Sequence, residues 1–230
     1  MKPFRSFFEN SWDNQARAES YAKLEFPNTY YLAYRDLPKI ISEHVKGVKA
    51  IDFGCGTGRS TRFLKQLGIN AMGIDISNEM LQIAKKNDTS GDYHLVTDGN
   101  YSHLGVEQFD LVQSIFTFDN IPEWENRTNI LKRLRRLLNP DGKMILLDAS
   151  PELYTNEWAS FSTKDFPDNW TVKTGDIVRD IMLDVEDQRP VEDIYWTISD
   201  YHKLFKKADL SLIATYKPLG FKNEPYKWVS

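Results

Sequence analysis

From about residue 48 the chain alternates two spacings of apolar residues. Short runs of aliphatic and β-branched side chains read as buried strands, and segments with apolar residues three and four apart read as helices. Residues 48–53 form the first such run. Residues 59–67 follow as a helix with Phe63, Leu64 and Leu67 on one stripe, and Gly68 stands where a helix would end. Residues 70–74 predict a second strand. Ser77 is placed as the N-cap of a helix carrying Met80, Leu81, Ile83 and Ala84, with Glu79 in its first turn. Residues 93–96, 109–115 and 143–147 supply a third, fourth and fifth strand. Between the last two, an amphipathic helix opens at Pro122, carries Ile130, Leu131, Leu134, Leu137 and Leu138, and is closed by Asn139-Pro140-Asp141-Gly142. This rhythm predicts an α/β fold with a parallel sheet covered on both faces.

The flanks depart from it. Residues 1–46 look largely helical, with tyrosines at 21, 30, 31 and 34, and fit an N-terminal lid. After Asp148 the periodicity weakens, and residues 149–196, rich in aromatics, Asp and Pro, read as an insertion with a hairpin around 171–183. A helix over 199–208, a strand over 210–216 and a short strand over 226–229 restore the pattern. The expected organisation is one domain: lid 1–46, core 47–148, substrate-side insertion 149–196 and completion of the sheet 197–230. A chain of 230 residues suits one such domain.

Composition narrows the class. The apolar fraction of 41% is ordinary for a globular protein, and no apolar run approaches the roughly 18–20 residues that cross a bilayer. The first residues, Met1-Lys2-Pro3-Phe4-Arg5-Ser6, lack the apolar stretch of a signal peptide. A single cysteine, Cys55, forms no internal disulfide and suits a reducing cytoplasm. The net charge of −4 argues against a broad nucleic-acid surface. Lys132, Arg133, Arg135 and Arg136 fit the solvated face of an amphipathic helix rather than an RNA site. No His, Asp or Glu set has convincing metal spacing.

The chemistry concentrates in Asp52-Phe53-Gly54-Cys55-Gly56-Thr57-Gly58, between the first strand and its helix. Backbone that passes close to a ligand needs residues without side chains and with access to positive φ, and Gly54, Gly56 and Gly58 supply both. Asp75 ends the next strand, where a carboxylate can accept both hydroxyls of a ribose. A dinucleotide fingerprint would need glycine where Arg59 stands, and a phosphate-gripping loop would need a lysine that Gly54-Cys55-Gly56-Thr57-Gly58-Arg59-Ser60 lacks.

Ala50-Ile51-Asp52-Phe53-Gly54-Cys55-Gly56-Thr57-Gly58, together with Gly73-Ile74-Asp75-Ile76-Ser77-Asn78-Glu79-Met80-Leu81, resembles the class I S-adenosylmethionine-dependent methyltransferases. Phe109-Asp110-Leu111-Val112 and Leu138-Asn139-Pro140-Asp141-Gly142-Lys143 are similar to that family's fourth and fifth strands, so the likeness covers roughly residues 48–148. It implies a Rossmann-like doubly wound sheet of seven strands, one antiparallel. It also implies S-adenosylmethionine as cofactor, with Gly54, Gly56 and Gly58 along its methionine part, Asp75 at the ribose, Ile76 and Met80 on the adenine faces and Asp98 at the adenine amino group. Asp52, Cys55, Gly99 and Ser114 join this cofactor set. Thr97-Asp98-Gly99 replaces the family's frequent Gly-Asp-Ala. Arg35 would meet the methionine carboxylate, as in small-molecule methyltransferases that this chain resembles.

Methyl transfer from a sulfonium is an in-line displacement, so positioning and exclusion of water are the main demands. A hydroxyl acceptor needs a base, whereas an amine needs only to arrive neutral. Residues 114–120 should lie at the carboxyl edge of the sheet, where Phe116 and Phe118 would wall the sulfonium; the Asn/Asp-Pro-Pro-Tyr signature of DNA adenine and protein glutamine methylases is absent there. Tyr21, Phe118, Trp158 and Trp196 are the candidate acceptor-binding residues, with Trp12, Tyr30, Phe161, Trp170 and Tyr195 adding aromatic character. Tyr195 and His202 are the candidate catalytic residues, His202 as a base. Arg189-Pro190-Val191-Glu192-Asp193-Ile194-Tyr195-Trp196 also resembles the substrate side of small-molecule methyltransferases of bacterial secondary metabolism. The expected activity is methyl transfer to N or O of a small aromatic or heterocyclic molecule, by a monomer or homodimer. A tRNA or protein methyltransferase and a non-catalytic cofactor-binding protein are the alternatives.

Overall fold

A computed structural model of the chain describes residues 14–97, 99, 101–226 and 228. Five strands, β1 (Lys49–Phe53), β2 (Asn70–Asp75), β3 (Asp92–Leu95), β4 (Phe109–Ile115) and β5 (Leu138–Leu147), form one sheet in the order β3-β2-β1-β4-β5. All four pairings are parallel. The central strands are buried on both faces, with Ala50, Ile51, Leu111 and Val112 fully inaccessible, which is why they read as continuous apolar runs. After β3 the chain crosses to the far side of β1, so the order reverses between β1 and β4. A crevice opens at the carboxyl ends of strands at such a point.

Helices cover the sheet. Three of them, α1 (Gln15–Ala22), α2 (Asn28–Arg35) and α3 (Leu37–His44), precede it; α4 (Arg59–Gln66) and α5 (Asn78–Asn87) follow β1 and β2; α6 (Trp124–Arg135) joins β4 to β5; and α7 (Ile198–Lys207) comes after the insertion. The expected N-cap at Ser77 is present, its hydroxyl accepting from Met80 N–H at 3.3 Å. Thr197 caps α7 in a reciprocal capping box with Asp200. β5 starts earlier than the apolar run implied, because Leu138 already pairs with Phe109 before a register shift.

The insertion holds its own antiparallel sheet, β6 (Phe161–Ser162), β7 (Ile177–Met182) and β8 (Val191–Ile194), in the order β6-β7-β8. The expected hairpin over 171–183 is displaced: its first strand is β7, and its partner lies beyond the polar turn of residues 184–190. Leu24, between α1 and α2, and Tyr30 of α2 pack with Leu153, Phe161, Val178 and Met182, and Arg17 donates to the carbonyls of Arg189 and Pro190 at 3.1 Å each. Residues 21–30 and residues 149–196 thus share a core.

The sheet differs from the seven strands expected. Residues 210–216 have strand-type composition but no ladder partner among the described residues, and Leu212, Ile213 and Tyr216 are exposed. Composition gives propensity, whereas a strand exists only where a neighbour accepts its hydrogen bonds. Two of the four residues of the expected short strand over 226–229, Lys227 and Val229, lie outside the described residues, like the first thirteen with Trp12, and Tyr226 and Trp228 are not in a strand.

Gly58, at φ 81° before α4, is held against Tyr93, and a Cβ there would meet the Tyr93 hydroxyl at 2.6 Å. Gly68 has nearly the same φ, 80°, but open space around it. Both alanine variants bear the left-handed penalty of roughly 1–2 kcal/mol, and Gly58→Ala adds an overpacking cost of about 1–3 kcal/mol. Urea unfolding should therefore find Gly58→Ala clearly the less stable of the two.

Candidate functional site

The turn after β1 is built by two carboxylates. Asp52 is fully buried, and its Oδ2 accepts from the Ser60 and Thr61 hydroxyls at 2.6 Å each, tying the end of β1 to the first turn of α4. Burial pushes its carboxyl up to about 6 against those two hydrogen bonds. Asp75 accepts from Gly56 N–H and Ser77 N–H at 2.8 Å each, so it clamps the glycine turn to the end of β2. Gly54, Gly56 and Gly58 all have positive φ, at 70°, 53° and 81°. A Cβ on Gly54 would strike Thr117, whereas one on Gly56 would meet only Met80 Sδ at 4.0 Å. Bare backbone at Gly56 thus faces open space, with the Asp75 carboxylate at its side.

The surroundings of that space fit an adenosyl ligand. Ile76 is 56% exposed beside Asp75, an apolar side chain left open next to a carboxylate. Met80 and Cys55 are buried behind the turn, and the Ser114 hydroxyl at the end of β4 is buried without a hydrogen-bond partner. The Gly99 carbonyl accepts from Arg133 at 2.7 Å, and Asp98 lies outside the described residues. Arg35 is placed elsewhere: it pairs with Asp36 and with Glu224 and stacks on Phe221, so its donors point to the C-terminal segment. A different cation lies behind the turn. Arg59, first residue of α4, is buried beneath the rings of Tyr21, Tyr30 and Tyr34 and donates to the Glu25 carbonyl at 3.0 Å and the Tyr21 hydroxyl at 2.8 Å. In the sequence it was legible only as the residue that breaks a dinucleotide fingerprint.

A second cavity lies past the end of β4. Tyr21, Tyr30, Phe116 and Phe161 give it an aromatic wall, Tyr30 meeting Phe116 edge-on at 5.6 Å and Phe161 at 5.5 Å. Phe116 holds φ 53°, unusual for a bulky residue, and Thr117 next to it donates to the Gly54 carbonyl at 3.3 Å. The cavity therefore adjoins the glycine turn. Asp119, Asp180 and Asp193 line it as well. Neither Asp119 nor Asp180 was singled out from the sequence, although a signal existed: Asp180 occupies the buried register of β7 between Val178 and Met182, and Asp193 that of β8 beside Val191. An acid on the inward face of a strand is a rare placement.

The other aromatic expectations fare unevenly. Phe118 is fully buried against Phe53 in the main core and walls nothing. Trp196 stacks on Trp124 and on the guanidinium of Arg127, 4.3 Å from its ring, as part of the same core. Trp158 spends its indole N–H on the Leu153 carbonyl at 3.1 Å and lies outside the cavity lining, as does Tyr195, which packs on Tyr154. His202 stands exposed on α7, off the cavity. Its neighbour Tyr201 faces inward, donating to Asp148 Oδ2 and accepting from Arg127, each at 3.2 Å. Helical spacing put the pair on one element but on different faces.

Comparison with known proteins adds the following. Residues 51–146 match a family described as "Methyltransferase domain". The chain is 23% identical over 198 residues to the N-demethylindolmycin N-methyltransferase of Streptomyces griseus, covering 83% of each chain. It is 31% identical over 136 residues to a demethylmenaquinone methyltransferase of Bacillus velezensis, covering 56% of this chain and 57% of that protein. The crystal structure of PH0226 protein from Pyrococcus horikoshii OT3 superposes with a TM-score of 0.62 over 84% of this chain and 88% of that one, at 18% identity, a likeness of fold.

The buried acids set a pH dependence. Asp148 and Asp180 are pushed up to about 7, first by desolvation and second by repulsion from Asp119. An unfolded aspartate titrates near 3.9, so between about pH 4 and 7 the folded chain holds more protons and loses stability as pH rises. Asp36 and Asp187 act oppositely, since hydrogen bonds from Arg35 and Arg189 hold them low, but their contribution is lost only at more acid pH. Thermal unfolding should give a Tm several degrees higher at about pH 5.5 than at about pH 8. Asp180→Asn should raise the Tm at the higher pH and narrow the gap, and a wild-type Tm flat across this range contradicts the assignment.

Proposed function

We propose that this chain, whose core belongs to the class I S-adenosylmethionine-dependent methyltransferases, moves the methyl group onto a nitrogen or oxygen of a small aromatic or heterocyclic molecule. The observation that carries the reading is adjacency: a glycine turn clamped by Asp75 and facing open space abuts an aromatic cavity through Phe116 and Thr117. S-adenosylmethionine, the cofactor of this family, supplies an electrophilic methyl carbon on a sulfonium. Gly54, Gly56 and Gly58 would border its methionine part, Asp75 would accept from its ribose, and Ile76 and Met80 would flank its adenine.

Everything else asked of the protein is binding and placement. Phe116, Tyr30 and Tyr21 exclude water and offer flat faces to a planar acceptor, which holds it near attack geometry. Residues 14–44 and 149–196 together cap the core in this reading, since Leu24, Tyr30, Phe161 and Met182 share one cluster. The names of the two relatives, an N-demethylindolmycin N-methyltransferase and a demethylmenaquinone methyltransferase, support a small acceptor. Among the described residues no helix is long and apolar enough to cross a membrane.

Isothermal titration should show S-adenosylmethionine and its demethylated product binding with 1:1 stoichiometry, and absence of both would remove the premise. Asp75→Ala should weaken that binding by about 1–3 kcal/mol, the usual cost of a lost charged hydrogen bond. His202→Ala should leave both cofactor affinity and turnover unchanged, because its ring stands in solvent; loss of activity would restore it as a base.

A further inference from the structure

Of the described residues that line the second cavity, three are acids and none is basic. Asp119, Asp180 and Asp193 are 6%, 3% and 6% exposed and come from three different places: the turn after β4, strand β7 and strand β8. On the insertion sheet Asp180 pairs in register with Val191 and Asp193 with Val178, so the two carboxylates are diagonal neighbours. Asp193 Oδ2 accepts from the Tyr154 hydroxyl at 3.0 Å, and Asp119 Oδ1 accepts from the Asn120 amide at 2.8 Å. Oδ1 of Asp180 and Oδ1 of Asp193 are buried without any hydrogen-bond partner. Among the described residues no lysine or arginine lines the cavity.

Arg17 and Arg127 attract Asp180 and Asp119 through space, but their hydrogen bonds go elsewhere. Arg17 donates to two backbone carbonyls and pairs with Asp187 at 3.6 Å. Arg127 donates to the Ile121 carbonyl at 2.6 Å and to Tyr201 and keeps Nη2 buried without a hydrogen-bond partner, and Arg59 is held by Tyr21 and the Leu24–Glu25 backbone. A buried carboxylate without a donor is costly, and the cost is removed when a positively charged donor arrives. Among the described residues no group of three or more His, Cys, Asp or Glu is arranged to hold a metal ion. What fits is a cation carrying its own N–H donors on an apolar body, set against the aromatic rings that favour such a cation.

We propose that the cavity takes a primary or secondary amine in its ammonium form, gripped by Asp180 and Asp193, and that this nitrogen is the atom methylated. The inference rests on the methyltransferase reading above and narrows its acceptor from nitrogen or oxygen to a basic nitrogen. Asp180 is the group placed to take one proton from the bound ammonium, leaving a neutral amine. The nitrogen pair then forms the N–C bond as the C–S bond breaks and its pair stays on sulfur. The positive charge returns to nitrogen, the donor leaves as a neutral thioether, and the proton on Asp180 passes to solvent. One proton is released for each methyl moved.

The test is calorimetric binding at neutral pH to the full chain loaded with S-adenosylhomocysteine, using 2-phenylethylamine and tryptamine against 2-phenylethanol and tryptophol. The amines should bind at least about tenfold tighter than the matching alcohols, the scale of a lost charged contact. Asp180→Asn and Asp193→Asn should each weaken amine binding by a similar factor while leaving S-adenosylhomocysteine affinity and alcohol binding unchanged. Asp180→Asn removes a penalised buried charge at constant shape, and the wild-type comparison of amine with alcohol needs no variant at all. Equal affinity for amines and alcohols, no amine binding at millimolar concentration, or amine binding indifferent to both substitutions would overturn the proposal. If S-adenosylhomocysteine itself fails to bind, the methyltransferase reading falls, and the same amine series on unloaded protein still decides whether the cavity selects a cation.

Discussion

The clamp of Asp75 on the backbone of Gly56 is the contact on which the remaining architecture turns. Three alternating residues at positive φ form an unfavourable path for most chains, and such a path persists only where its surroundings fix it at several points. Here the fixing comes from both sides: Asp52 ties the strand end to the Ser60 and Thr61 hydroxyls of the following helix, and Asp75 holds Gly56 from the neighbouring strand. Both acids sit at the carboxyl ends of parallel strands whose register places Asp52 opposite Gly73 and Phe53 opposite Ile74. The sheet therefore exists in part to bring two carboxylates to one turn.

That part was readable because the constraint is local. Glycines at fixed spacing, an acid at each strand end and apolar runs of strand length all lie within about thirty residues of one another, and β1, α4, β2 and α5 appear within a residue or two of where periodicity put them. The adjacent cavity was less legible, since its walls come from α1, α2, the turn after β4 and the insertion sheet. Aromatic content signalled that such a wall exists but not which rings form it. Trp196 and Phe118 went to the core, the first as a platform for buried Arg127, while Tyr30 and Phe161 took the places at the cavity. Arg35 was misplaced for a similar reason: its partner Glu224 lies 189 residues away, and nothing in the local pattern announces it.

The insertion sheet shows how function leaves a mark against the rules of folding. Strand β7 alternates buried and half-buried positions as a sheet over a core should, yet one of its inward positions carries an aspartate. Desolvation raises the proton affinity of all three carboxylates around the cavity, Asp119 raises that of Asp180 and Asp193 further, and the fold is weakened at neutral pH. A chain selected only for stability would place Val or Leu there. Departures of this kind, where an inward register holds a charge without a built-in partner, are the sites at which sequence pattern and chemistry disagree most usefully.

Arg59 belongs to both halves of this arrangement. It is the first residue of the helix that the glycine turn opens, and its guanidinium lies against Tyr21 and Tyr30, which wall the acidic cavity. One buried cation thus joins the floor of one compartment to the side of the other. Tyr21 on α1 and the first residue of α4 are joined directly through the Arg59 guanidinium, by a hydrogen bond of 2.8 Å. Any coupling carried through this shared cation is reciprocal: whatever factor filling the turn adds to affinity in the cavity, filling the cavity returns to the turn.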